Sequence, residues 1–418
     1  MSAARAGPAP VAESERIGSL DVLRGFAVLS ILVMNIQSFS MPFSAYINPT
    51  VYGDLTGANR WVWVLSHVLA DQKFMTIFSL LFGAGVLLMT TRAAEKGASA
   101  ARLHYRRMTW LLVFGLAHAY LLWHGDILVL YAVCGMVVFP MRRLSPRTLA
   151  IVGVAFLAVG SAISLAGGLT MGAWPAEAIA DWQQFWSPSP EELAAETAAF
   201  QGGWLEQQPW RVGYSAEFHL EDILFWGLWR AGGLMLLGMA LFKWGVLPGA
   251  RRPAFYAQQT AIGLGVGIAL VAWGLMQHHA TGWNMRDSFF LVGQWNYWGS
   301  ILVSLGYIGL LVTIWKAGVA RGLTARFAAV GRMAFSCYIV ETLVSTLVFY
   351  GHGLGLFGTV DRLQQMVFTF AVWVVLLVVA PLWLARFQYG PLEWLWRSLT
   401  YGRFEPFGRH ARAVVDAV

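Results

Sequence analysis

The sequence predicts an all-α, polytopic integral membrane bundle of about ten transmembrane helices with both termini cytoplasmic. Three observations predict it. Hydrophobic residues make up 57% of the 418-residue chain and charged residues only 12%, a balance too apolar for a soluble domain of this length. The apolar residues gather into ten runs, near 20–41, 74–91, 108–123, 126–141, 148–171, 222–242, 254–276, 296–316, 327–349 and 366–386. Most approach the roughly 20 residues that a helix needs to cross the hydrocarbon core. With the N-terminus inside, 23 of the 29 Lys and Arg fall on the cytoplasmic side of that layout, leaving Arg60, Lys73, Arg211, Arg286 and Arg362 outside and Arg230 in mid-membrane.

Residues 1–18, rich in Ala, Pro and Gly, read as a disordered cytoplasmic N-terminus. No small-residue cleavage site follows the first apolar run, so it is expected to be a retained helix and not a signal peptide. Residues 19–171 form an N-terminal membrane half of five helices, in which only Trp123, His124 and Gly125 separate the third run from the fourth. Segment 172–221 holds eight acids and one Arg, which fits an outer loop. Within it PAEAIADWQQFW and SPEELAAETAAF read as short amphipathic helices begun at Pro or Ser, and the length suits a lid over an outer site or a simple cover. Residues 222–386 supply five further helices, and 387–418 a basic cytoplasmic tail. No repeat of 20–50 residues and no inverted repeat is visible, which weighs against a transporter.

Several chemistries drop out early. Cys134 and Cys337 both lie inside apolar runs and offer no disulfide framework, zinc site or haem motif, so no metal is expected. The net charge of +7 follows the membrane-topology pattern, so no nucleic acid is expected as a partner. Gly83 and Gly85 sit inside a span with no strand before them, a pattern for close helix packing and not for a nucleotide loop.

An ionisable group inside a span costs several kcal/mol unless it is paired or faces water, so each one marks a candidate site. Asp21 and Arg24 are three residues apart on one helical face. Asn35 follows Arg24 by eleven residues, about three turns, on the same face and about 16 Å deeper. The structural alternative makes Ser19 the N-cap, sets Asp21 at the positive helix end and lets Arg24 snorkel to headgroups. His118 and Asp126 can meet across the tight hairpin, giving an imidazole oriented by a carboxylate, which suits a general base or a proton relay. A plain hairpin with Asp126 as N-cap is the alternative. His67, near Asp71 and Lys73 on an amphipathic stretch outside the second span, is the reserve base. His104 is expected to face headgroups, and His124, His278 and His279 lie in outer turns without a spacing signal. Arg230 wants a partner, either Glu341 or a substrate anion. Arg332 enters its span at the inner mouth, where it could join Arg24 in a two-arginine site for an anion such as a pyrophosphate.

These residues also carry a resemblance. LDVLRGFAVLSILVMNI, FSLLFGAG, FGLAHAYLLWHGDILVLYAVCG, LSPRTL, VGRMAFSCYIVETLVSTLVFY and RFQYGPLEWLWRSLTYGR, in order between residues 16 and 403, resemble the YeiB-like family of bacterial inner-membrane proteins, whose C-terminal half is a domain of unknown function. The first span is also similar to a wider superfamily of transmembrane acyltransferases, including the heparan-alpha-glucosaminide N-acetyltransferase group. That resemblance implies an acyl group passed from cytoplasmic acyl-coenzyme A to a small-molecule, glycan or lipid acceptor on the outer side. It also implies Arg24 as a coenzyme contact and Asn35 as a hydrogen-bond donor to the thioester carbonyl. The sequence departs from the superfamily at Tyr46, where a catalytic His is expected, so the base must be His118 oriented by Asp126, with His67 in reserve. It departs again at Ser336, Cys337 and Glu341, where the family carries Thr, Asn and Gln. Arg24, Arg332 and Asp21 are thus the expected coenzyme site, and Arg230, Glu341, His67 and Lys73 the expected substrate contacts. A transporter using the same Arg, Glu and His groups is the second expectation, a non-catalytic scaffold the third, and a homodimer is allowed.

Overall fold

The computed structural model describes residues 17–408, and every apolar run becomes helix. The N-terminal half runs through α1 (Gly18–Ser40), α2 (Ser44–Ile47), α3 (Gly57–Leu69), α4 (Lys73–Glu95), α5 (Ala100–Leu121), α6 (Leu128–Val138) and α7 (Pro146–Thr170). The acidic loop folds into α8 (Ala176–Trp186), α9 (Pro190–Gln201) and α10 (Gln208–Glu217). From α10 the chain continues unbroken through a π-helical stretch, Phe218–Gly232, into α11 (Gly233–Lys243). Then come α12 (Pro253–Ala280), α13 (Gly293–Ala317), α14 (Arg321–Arg332), α15 (Ala334–Phe349), α16 (Arg362–Arg386) and α17 (Pro391–Tyr401).

Among the described residues, seven helical stretches are long and apolar enough to cross a membrane, or eight if α14 and α15, which meet at 85°, form one broken span. The runs at 108–123 and 126–141 lie in α5 and α6. α5 carries Arg102, Arg106 and Arg107 along its first turns. The 11 residues of α6 rise only about 17 Å before a 3-10 turn at Phe139–Arg143. The expected disorder of 1–18 and the end of the basic tail fall, before residue 17 and after residue 408, outside the described residues.

Helix starts follow local chemistry. Ser189 accepts from the Glu192 amide while the Glu192 carboxylate accepts from the Ser189 amide, so SPEEL opens α9 with a capping box. Ser19 does not cap α1. Ile17 holds that position, and Ser19 Oγ donates instead to the Leu247 carbonyl at 3.0 Å, tying α1 to the turn after α11.

α1 is the spine of the bundle. Val28, Leu29, Leu32, Ile36 and Phe39 face one buried cluster with Trp123 and Tyr131, while Leu20, Leu23, Ala27 and Met34 face a second with Phe74, Ile77 and Leu157. At about 100° of rotation per residue, the half-buried stripe Arg24, Ile31 and Asn35 falls on the seam between the two.

Two glycines let α14 pack directly on α1. A Cβ on Gly25 would strike the Phe327 carbonyl, and one on Gly331 would strike the Asp21 carbonyl, so the two backbones touch directly. α17 then fixes the bend: Glu393 Oε1 accepts from the Phe335 and Ser336 amides at 2.7 and 3.1 Å, and Oε2 accepts from Ser336 Oγ at 2.5 Å. Burial pushes the Glu393 carboxyl upward, while its bonds to Ser336 pull it back. We expect Glu393→Ala to lower stability by about 1–2 kcal/mol, the usual size of a lost helix cap, in denaturant or thermal melts in detergent. An unchanged melt would show that this bend holds without its cap.

Candidate functional site

The first polar group is built on the α5–α6 hairpin. His118 ends α5, the chain turns at Gly125, and Asp126 sits before α6, with its Oδ2 accepting from the Val129 amide at 2.8 Å. Asp126 therefore holds an amide of the first turn of α6, although Ile127 and not Asp126 is the N-cap, and has one oxygen left over. That oxygen, Oδ1, meets His118 Nδ1 at 2.8 Å, and His118 Nε2 meets Thr342 Oγ1 at 2.9 Å. All three side chains are buried. A proton on Nδ1, facing the carboxylate, would leave Nε2 as acceptor, the arrangement of a general base beside a hydroxyl.

Thr342 belongs to a polar face of α15. Tyr338, Glu341, Thr342 and Ser345 recur at three- and four-residue spacing and are all buried. Glu341 Oε1 and Ser345 Oγ have no hydrogen-bond partner among the described residues. Buried polar atoms without partners are rare in folded proteins, so this face can receive a polar group beside His118.

The second group lies against α13. Asp71 Oδ2 is 3.3 Å from His67 Nδ1 and accepts from Asn296 Nδ2 at 2.7 Å. Lys73 Nζ donates to Asn296 Oδ1 at 2.6 Å and to the His67 carbonyl at 2.7 Å, and its side chain is wholly buried. Arg230 donates to the Tyr297 carbonyl, Thr76 Oγ1 and Ser300 Oγ at 2.6, 3.2 and 2.7 Å, and its guanidinium lies 4.3 Å from the Tyr297 ring centre.

The third group is the basic end of α1. Arg24 Nη1 lies 3.1 Å from Asp21 Oδ1, and Arg24 and Arg397 both act electrostatically on Arg107. Arg107 lies flat on Trp396, 3.9 Å from the ring centre. The Gly25–Gly331 contact sets the backbones next to Arg24 and Arg332 against each other. Three or more guanidinia with few acids among them suit a polyanion.

The structure thus brings together His118 and Asp126, Asp21 and Arg24, and His67, Asp71 and Lys73. It separates Arg230 from Glu341: the Arg230 donors go to a carbonyl and two hydroxyls, and Glu341 makes no ion pair among the described residues. The physical reason is that Arg230 points to α4 and α13, while Glu341 sits with the His118 cluster. Asn35 makes no side-chain hydrogen bond among the described residues and stays half-buried on the seam. His104 is not headgroup-facing; it is fully buried, stacked 4.3 Å from Phe139, with Nε2 on the Gly135 carbonyl at 2.9 Å. His124 is buried too, and burial, then Arg211, pulls its pKa down to about 3, so it is neutral. Thr342, Asn296, Arg107 and Arg397 escaped notice in the sequence because Thr and Asn at helical positions look like ordinary packing and Arg107 and Arg397 like ordinary loop bases. Among the described residues no three His, Cys, Asp or Glu side chains are grouped to hold a metal ion.

Residues 241–403 match a family model described as a protein of unknown function, DUF418. The chain is 32% identical over 393 residues to a protein of Escherichia coli K12 described as uncharacterized protein YeiB, covering 92% of this chain and 96% of that one. It is 30% identical over 422 residues to uncharacterized protein YxaH of Bacillus subtilis 168, covering 96% and 98%. A 39.9 kDa protein in the amylase 3' region of Bacillus acidopullulyticus is 27% identical over 401 residues, covering 95% and 97%.

Proposed function

The chain belongs to the YeiB-like family of multi-pass membrane proteins, and from that premise we propose that it is an acyltransferase moving an acyl group from cytoplasmic acyl-coenzyme A to an acceptor on the far side of the bacterial cytoplasmic membrane. One observation carries the reading: buried His118 is held between Asp126 and Thr342. In this reading the N-terminus is cytoplasmic and the coenzyme phosphates rest on Arg24, Arg332 and Arg107. The acyl-bearing arm follows the seam of α1 towards Asn35, whose amide donates to the thioester carbonyl. An acceptor hydroxyl or amine replaces Thr342 at His118 Nε2, attacks the carbonyl and gives its proton to Nε2, and coenzyme A leaves as the thiolate.

A transport reading has its own support, the Lys73–Asn296–Asp71–His67 network with Arg230 nearby, since linked ionisable groups inside a bundle suit a proton or ion path. One experiment separates the two. Thermal unfolding of the detergent-purified protein is measured with acetyl-coenzyme A and longer acyl-coenzyme A species, and repeated on Arg24→Ala. A coenzyme at 100 times its dissociation constant should stabilise by about 2.7 kcal/mol, and Arg24→Ala should lose that gain. No gain with any acyl-coenzyme A sinks the acyltransferase reading and favours transport.

A further inference from the structure

The acidic outer loop, which the sequence reads as a lid or a simple cover, lines an open cavity of about 310 Å³ between α8, α9, α10 and the start of α2. Its aromatic wall is Phe43, Phe185, Trp210 and Tyr214. The Phe43 and Tyr214 rings are 5.1 Å apart, Phe43 and Phe185 6.5 Å, and Trp210 and Tyr214 5.8 Å, so the four form a joined surface. The rest of the wall carries Asp181, Glu192, Glu196 and Glu217 beside Ser44, Gln184 and Pro188, and among the described residues no Lys, Arg or His lines it. Arg211, in the same helix as Trp210 and Tyr214, directs Nη2 at Gln207 Oε1 and is not part of the wall.

Two further features point to a ligand. Ser44 lines the cavity, is 4% exposed, and its Oγ has no hydrogen-bond partner among the described residues. Behind the wall, His124 packs its ring 5.5 Å from Phe43 and 5.0 Å from Tyr214, and both of its ring nitrogens are likewise without partners. Burial pushes the Glu196 carboxyl up to about 7, and burial, then Glu221, pushes the Glu217 carboxyl upward as well. Aromatic faces attract cations through their quadrupoles, and carboxylates without basic neighbours add to that field.

We propose that this cavity is a binding site for a small organic cation, an alkyl- or quaternary ammonium compound, held on the Phe43–Phe185–Trp210–Tyr214 surface and neutralised by Asp181, Glu192 and Glu217. The site stands whether or not the protein transfers acyl groups, because none of its residues belongs to the His118 or Arg24 groups. Choline and its neutral isostere, 3,3-dimethyl-1-butanol, are titrated calorimetrically into the purified full-length protein. Choline is expected to bind at least about tenfold more tightly than the isostere. The double variant D181N/E217Q, changed at two exposed positions, should lose about tenfold in choline affinity with an unchanged melt. Trp210→Phe should retain more affinity than Trp210→Ala. Equal binding of choline and the isostere would show an apolar pocket instead and overturn the proposal. So would the absence of binding by both choline and n-butylammonium at millimolar concentrations, or a D181N/E217Q affinity equal to the parent's.

Discussion

Asp126→Ala is expected to destabilise the protein by about 2–6 kcal/mol, from two buried donors left unsatisfied at roughly 1–3 kcal/mol each, and, under the acyltransferase reading, to abolish turnover. The effect is large because one carboxylate serves two elements. Oδ2 holds an amide of the first turn of α6, and Oδ1 fixes His118 at the end of α5. The alanine loses both, and leaves His118 Nδ1 and the Val129 amide buried without partners. Asp126→Asn separates structure from chemistry. Its amide oxygen can still accept from Val129, so the melt should move much less. Its amide nitrogen, however, offers a donor to His118 Nδ1 and favours the tautomer with the proton on Nε2, so Nε2 no longer accepts. Under the acyltransferase reading turnover should fall by on the order of 10³–10⁴ while the protein stays folded. If Asp126→Asn keeps full turnover, His118 is not the base and the hairpin is purely structural.

How far the sequence was legible depended on whether one helix or two held the information. Spacing along a single helix was readable: Asp21 and Arg24 pair, SPEEL makes its capping box, and the apolar runs become helices. The His118–Asp126 pair was readable as well, because a six-residue connection between α5 and α6 leaves little freedom. Contacts between distant helices were not readable. Arg230 was read as needing either Glu341 or a substrate anion, yet its guanidinium donates to hydroxyls and a carbonyl from α4 and α13, acceptors that leave no mark in a hydropathy profile. Ser19 illustrates the same limit, since its hydroxyl serves a carbonyl 228 residues away instead of its own helix. The acidic composition of the 172–221 loop was plain in the sequence. That it folds three helices around an aromatic cavity depends on Phe43, which comes from another part of the chain.

Gly331→Ala is the second large effect, and its sign is the informative part. In an open helix the change would stabilise by up to about 1 kcal/mol, because alanine has the better helix propensity. Gly322, in the same helix α14, provides that control: a Cβ there meets nothing within 4 Å. At Gly331 the Cβ would overlap the Asp21 carbonyl and lie 2.8 Å from the Gly25 amide nitrogen, both backbone atoms of α1 that cannot rotate away. Overpacking of that kind costs about 3 kcal/mol or more, well above the propensity gain, so the two substitutions should shift the melt in opposite directions. The functional consequence follows from position. Gly25 adjoins Arg24 and Gly331 adjoins Arg332, so forcing α14 off α1 pulls apart the two backbones that carry the proposed coenzyme contacts. Acyl-coenzyme A stabilisation should therefore weaken in Gly331→Ala and persist in Gly322→Ala. Were Gly331→Ala to melt like Gly322→Ala and keep its coenzyme response, the tight α1–α14 contact would not be what assembles the basic mouth.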